Sequence, residues 1–138
     1  MKIVLPPDYR PSETEEFMNP MQLEYFRQKL LKWRAQLIKE SEGTLSHLQK
    51  ESLVEADWTD RASAETDVAL ELRTRDRARK LIVKIDEALS RVEDGTYGYC
   101  EDTAEPISLR RLEARPIATL SLEAQERHER MERSHRND

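Results

Sequence analysis

The chain of 138 residues has one cysteine, three glycines and 6% aromatic side chains. A single cysteine excludes an internal disulfide. The apolar share is only 37%, matched by a charged share of 37%. That is poor material for a thick globular core and suits long helices with narrow apolar seams. No segment approaches the roughly 20 apolar residues of a membrane span, and no signal-peptide pattern is present, so the expected location is the cytoplasm, away from membranes. A basic excess is also lacking. The net charge is −5, which argues against wholesale nucleic-acid binding.

The lone cysteine sits in GTYGYCEDTAEPI at 95–107. An aromatic-flanked Cys, a polar turn and a Pro look like the first half of a zinc knuckle. A knuckle needs a second Cys three residues on and another pair downstream. Thr103 stands at that third residue.

What is present is helical periodicity. Residues 1–18 carry Pro6, Pro7 and Pro11 and read as an N-terminal arm, with Ile3, Val4 and Leu5 as candidate docking residues. Asn19-Pro20 is a favoured N-cap followed by a favoured first helical residue. From there Leu23, Phe26, Leu30, Trp33 and Leu37 recur at steps of three and four, a coiled-coil seam predicting a helix to about residue 54. The pattern pauses at 55–60, restarts at Arg61 and runs to Asp94, where Gly95 stops it. Val68, Leu72, Arg75, Arg79, Ile82, Ile85, Leu89 and Val92 trace this second seam. Two long helices joined by a short turn predict an antiparallel hairpin over 19–94, with its tip at 55–61. Arms of roughly 33 residues at about 1.5 Å each would make a rod of about 50 Å.

Residues 95–138 are expected to form a small globular module. Residues 96–108 suggest a two-stranded ribbon, and Leu109 to Ala114 a helical turn closed by Pro116. A last helix follows from Ser121, in which Glu123, Glu126, Glu129 and Glu132 each precede an Arg by four residues. The fold class is therefore mainly α: a long coiled-coil hairpin plus a small module with a short ribbon and a C-terminal helix.

Charge is segregated along the hairpin. Residues 51–71 hold seven acids against Arg61, and residues 73–80, RTRDRARK, hold five bases against Asp76. An acidic tip ahead of a basic collar suits insertion into a cationic or metal-containing site, with the collar meeting an anion. Asp57 and Asp60 flank Trp58 at the tip. Their ordinary roles are turn residue and N-cap. Together they also present two carboxylates to a Mg²⁺ site or to basic groups of a partner. No His base, Gly-rich loop or pocket-forming stretch accompanies them, so the protein is not read as an enzyme.

EEFMN at 15–19, FRQKL at 26–30, DWTDRA at 57–62, LELRTRDRARKLI at 70–82, YGYC at 97–100 and RRLEARP at 110–116 together resemble the DksA/TraR family over residues 15–130. Members are bacterial transcription factors that bind RNA polymerase without binding DNA. The resemblance implies a hairpin that enters the polymerase secondary channel and acts with ppGpp in the stringent response. The family's usual tip is Asp-Pro-x-Asp-x-Ala. This chain keeps Asp57, Asp60 and Ala62 and has Trp58 in place of Pro. The family's ppGpp-binding bases fall on Lys84 and Arg115, while a third falls on Gln125. Either ppGpp dependence is then weaker, or Arg77, Lys80 or Arg111 compensates. Better-known members hold one zinc with four cysteines. The matching positions here are Cys100, Thr103, Ser121 and Ala124, so no zinc and no other cofactor is expected, ppGpp being an effector. In its place Thr103 and Ser121 would supply turn and N-cap hydrogen bonds, and Tyr97, Tyr99, Ile107, Leu109, Leu112, Ile117, Leu120 and Leu122 an apolar cluster. A coiled-coil adaptor that dimerises through its seams is the alternative. The two charged seam positions and the turn-closed hairpin favour pairing within one chain, hence a monomer.

Overall fold

The computed structural model describes residues 3–54 and 61–136, with backbone alone over 44–54 and 61–64. Four helices follow in order: α1 Pro20–Val54, α2 Arg61–Asp94, α3 Leu109–Ala114 and α4 Leu122–Arg136. The fold is mainly helical, as the periodicity predicts. Two compact units share the chain: unit 1 is Met1–Leu30 with Glu87–Asp138, and unit 2 is Leu31–Asp86.

Helix boundaries follow from local chemistry. Asn19 Oδ1 accepts from the Gln22 N–H at 3.0 Å, satisfying one of the free donors at the start of α1. Gln22 in turn accepts the Met18 N–H at 2.8 Å and donates to the Ser12 carbonyl at 3.2 Å. This N-x-x-Q arrangement is close to a capping box, and it leaves Gln22 buried with both its amide oxygen and its amide nitrogen bonded. At the other end, Gly95 adopts φ +83° and the N–H groups of Thr96 and Tyr97 both donate to the Arg91 carbonyl, ending α2. Ser108 caps α3 and Ser121 caps α4, each hydroxyl accepting from the N–H three residues on at 3.2 Å.

In unit 2 the α1 and α2 segments run antiparallel. Arg34 on α1 grips Asp86 on α2 through Nε at 2.7 Å and Nη2 at 3.4 Å. Further along α1, Ile38, Ser41 and Glu42 share a hollow with Arg75, Arg79 and Ile82, which lie earlier on α2. Leu37, Ala78 and Ile85 are buried here. The second seam therefore matches the sequence expectation at Ile82 and Ile85 and departs from it earlier on α2. Arg75 and Arg79 are exposed, Leu72 is 48% exposed, and Ala78 occupies the inner face instead. A methyl side chain lets two helices approach closely where a guanidinium would have to be desolvated.

Unit 1 carries the thicker core. Phe26, Leu30, Ala88, Tyr97, Ile107, Leu112 and Ala124 are fully buried. The Phe26 and Tyr97 rings lie 5.6 Å apart, and the Tyr97 hydroxyl donates to the Pro116 carbonyl at 2.7 Å. Residues 3–18 belong to this unit and dock through Tyr9 against Tyr25 and Phe17 against Tyr99, with ring centroids at 6.1 and 5.3 Å. Of the candidate docking residues, Val4 is 87% exposed, whereas Ile3 and Leu5 are half-buried.

The expected ribbon reduces to one antiparallel bridge, Tyr99 with Pro106. The Cys100 N–H donates to Glu105 O at 2.8 Å and the Ile107 N–H to Gly98 O at 2.7 Å. Pro106 thus occupies the position of the pair that needs no N–H, so its missing donor costs nothing. Ala104, at φ +61°, turns the chain between the two sides.

Gly98 has φ +90°, and a Cβ there would meet Met18 Cε at 3.0 Å and Phe17 Cζ at 3.3 Å. At Gly95 the φ is similar but nothing lies within 4 Å. Gly95→Ala is therefore expected to cost about 1 kcal/mol from the backbone alone. Gly98→Ala should cost roughly 2–4 kcal/mol, since overpacking adds to the same strain. Urea unfolding of the two variants checks the difference, and equal costs would refute the packing contribution.

Candidate functional site

Three surfaces carry the residues singled out from sequence. Of the tip, Asp57, Trp58 and Asp60 lie outside the described residues, and Ala62 lies in the first turn of α2 with backbone alone.

The basic collar is on α2 in unit 2. Arg73, Arg75, Arg77, Arg79, Lys80 and Lys84 are all exposed. Asp76 binds Lys80 at 3.1 Å and Arg79 at 2.9 Å. Its carboxyl is held below the usual range, first by Lys80 and then by Arg79. Among the described residues no ion pair involves Arg77 or Lys84. A helix surface with several cations and one anion attracts a polyanion electrostatically.

In unit 1, Arg115 ends α3. Its N–H donates to the Arg111 carbonyl at 2.7 Å, and its carbonyl accepts from Ala118 at 3.0 Å. The backbone is thereby fixed while the side chain stays exposed. Arg111 is committed differently, with Nε donating to the Leu120 carbonyl at 2.9 Å. Gln125 on α4 donates its amide to Glu129 at 3.2 Å.

Around α3 lies a cluster that periodicity does not reveal. Lys29 Nζ on α1 reaches Glu113 Oε2 on α3 at 2.7 Å, both side chains about one-third exposed. Lys29 also lies 5.9 Å from the Tyr25 ring centroid, and Tyr25 and Glu113 interact electrostatically. Burial, then the Glu113 carboxylate, pushes the Tyr25 phenol up to about 12. Burial alone would raise the Glu113 carboxyl, but Lys29 and Tyr25 outweigh it and the net shift is downward. A carboxyl lowered in the folded state contributes stability that is present above its ordinary value near ~4.3 and lost as pH falls through the folded value. Thermal unfolding between about pH 3 and 6 should therefore show the parent losing more stability on acidification than Glu113→Gln. Parallel curves would remove the pair from the account.

The remaining cluster is the knuckle. Cys100 is 3% exposed. Burial would push its thiol up, but the Thr103 hydroxyl and the N–H groups of Ser121, Thr103 and Asp102 outweigh that and bring it down to about 6. The Ser121 N–H lies 3.3 Å from Sγ. Thr103 Oγ1 accepts from the Glu105 N–H at 3.3 Å, and Ser121 caps α4 as described. His128 on α4 meets Asp102 at 2.7 Å. Ile107, Leu109, Leu112 and Ile117 are buried beneath, whereas Tyr99 and Leu122 are 38% and 54% exposed and stand outside that cluster.

Comparison with known proteins now decides the family. Residues 22–92 match the family model for the N-terminal domain of DnaK suppressor protein DksA, and residues 95–130 match that of the prokaryotic dksA/traR C4-type zinc finger. A Caulobacter vibrioides protein named RNA polymerase-binding transcription factor DksA is 71% identical over 131 residues, covering 95% of this chain and 92% of its own length. The chain belongs to the DksA family. A DksA of the same name from Escherichia coli K12 is 48% identical over 115 residues, covering 83% of this chain and 76% of that protein. The solved structure of transcription factor DksA2 from Pseudomonas aeruginosa superposes with a TM-score of 0.80 at 43% identity, covering 90% of this chain and 94% of that one.

The zinc-finger match corrects the sequence expectation that zinc has no part in this module, because the family to which residues 95–130 belong is defined by a four-cysteine zinc site. The residues at those positions do not fit a four-thiolate ion. They offer one thiol, two hydroxyls and the methyl of Ala124, and among the described residues no group of three or more His, Cys, Asp or Glu side chains could hold a metal. Among the described residues, no helix is long and apolar enough to cross a membrane.

Proposed function

We propose that this chain binds RNA polymerase and modulates transcription initiation without contacting DNA, acting in the cytoplasm and not as an enzyme. The observation that carries this is the 71% identity, over 95% of the chain, to a protein named for polymerase binding. The pairing of α1 with α2 supports entry of the hairpin into the polymerase secondary channel with Asp57, Trp58, Asp60 and Ala62 leading. The exposed collar supports a second role in the stringent response. Lys84 and Arg115 would each contact a phosphate of ppGpp, with Arg77, Lys80 and Arg111 as further bases and Gln125 as the position where one base is absent.

Seams that pair within the chain support a monomer. Sedimentation is expected to give a single species near 16.2 kDa, independent of concentration. Fluorescence anisotropy of labelled protein with polymerase core enzyme, no DNA added, should give saturable binding. A concentration-dependent dimer would favour a coiled-coil adaptor. Absence of binding to the core enzyme would defeat the polymerase reading.

A further inference from the structure

We infer that Glu113, clamped by Lys29 and Tyr25, is a positioning residue that sets the direction of Arg115. The inference rests on the reading of Arg115 as a ppGpp ligand and asks what aims it. α3 has only six residues, too few to hold an orientation by its own hydrogen bonds. Its apolar side is anchored by Leu109 and Leu112. Its C-terminal end carries Arg115 on backbone at φ −142° and ψ 84°, outside the helical range, where backbone bonds to Arg111 and Ala118 hold the main chain. Two attachments flank it. On one side, two residues earlier, Glu113 is bonded to Lys29 at 2.7 Å, and Lys29 lies beside the Tyr25 ring, both on α1. On the other, the carbonyl of Pro116 accepts the Tyr97 hydroxyl at 2.7 Å.

The two attachments differ in kind. Tyr97 is fully buried, so its loss would strongly destabilise the whole unit. The Glu113 clamp is about one-third exposed, so its loss would loosen α3 at modest cost to the fold. Tyr25 itself packs on Phe26 at 5.2 Å and on Tyr9 of the N-terminal arm at 6.1 Å. The clamp therefore ties the aim of Arg115 to α1 and, through Tyr25, to the arm. Binding a phosphate with a pre-aimed guanidinium avoids ordering it at the moment of contact, which appears as affinity for the anion rather than for the protein partner.

The test is a reconstituted transcription assay titrated with ppGpp, using the full chain and three proteins: the parent, Glu113→Gln and Arg115→Ala. Glu113→Gln should raise the ppGpp concentration for half-maximal effect by roughly fivefold, while inhibition without ppGpp changes less than about twofold. A general loss of structure would lower both together and would overturn the inference. So would Glu113→Gln with parental ppGpp potency when Arg115→Ala has lost it. If Arg115→Ala keeps the parental ppGpp response, or the parent has none, the ligand reading itself fails and takes the positioning role with it.

Discussion

Replacing both Asp57 and Asp60 with Asn is expected to abolish inhibition at a sensitive promoter while leaving polymerase affinity within about threefold of the parent. Asn matches Asp in size and is its equal as an N-cap, so the start of α2 at Arg61 should tolerate the change. What disappears is two negative charges. If the tip acts on a Mg²⁺ or on basic groups of the polymerase, the carboxylates supply ligands that a neutral amide replaces poorly. Binding, by contrast, would draw on the much larger helical surface behind the tip. The readouts are abortive or run-off transcription for function and anisotropy for affinity. A double variant that inhibits like the parent would end the tip mechanism. One that fails to bind would relocate the acids from action to anchoring.

The second large effect is on stability. Tyr97→Ala is expected to destabilise unit 1 by about 3–5 kcal/mol, a large share of the roughly 5–15 kcal/mol that holds a domain. Tyr97 is fully buried, stacks obliquely on Phe26 and satisfies the Pro116 carbonyl. Removing the ring leaves a cavity and an unpaired carbonyl together. Tyr97→Phe separates the two, since it keeps the packing and loses only the hydrogen bond, for about 1–2 kcal/mol. Circular dichroism during denaturant titration reads both. If Tyr97→Phe costs as much as Tyr97→Ala, the hydroxyl rather than the ring is the main contribution.

These effects reflect how unevenly the fold was legible in the chain. Most helix ends were plain, because Asn19, Gly95 and Ser121 act on backbone within three or four residues of themselves. The α1 seam was also legible, since Phe26, Leu30 and Leu37 are large, apolar and buried. The α2 seam was legible only in part, at Ile85, which is fully buried, and Ile82, which faces α1. Ala78 and Ala88 are buried but contribute little to an apolar pattern, and the long stems of Arg75 and Arg79 fell at seam spacing while their charges stayed in water. The ribbon was over-read from its aromatics and its turn, which support only the single Tyr99 to Pro106 bridge. Of the candidate site, individual exposed bases were visible through resemblance. The Lys29, Tyr25 and Glu113 clamp was hidden, because its members come from segments 84 residues apart and none is unusual alone. The N-x-x-Q signal at Asn19 and Gln22 was in plain view, and it announces the bonded turn that seats the arm.

Unit 1 is assembled from both ends of the chain, Met1–Leu30 and Glu87–Asp138, with all of Leu31–Asp86 between them. During synthesis, Phe26 and Leu30 emerge with no partner until Ala88, Tyr97 and Leu112 have been translated. At about 5–20 residues per second that interval is roughly several seconds to over ten. For that time the newborn protein displays Phe26 and Leu30 to the cell, and closing the unit waits on residues 88–112. Early termination anywhere before Tyr97 would therefore yield a product with those side chains permanently uncovered, marked for chaperones and proteases rather than a shortened regulator.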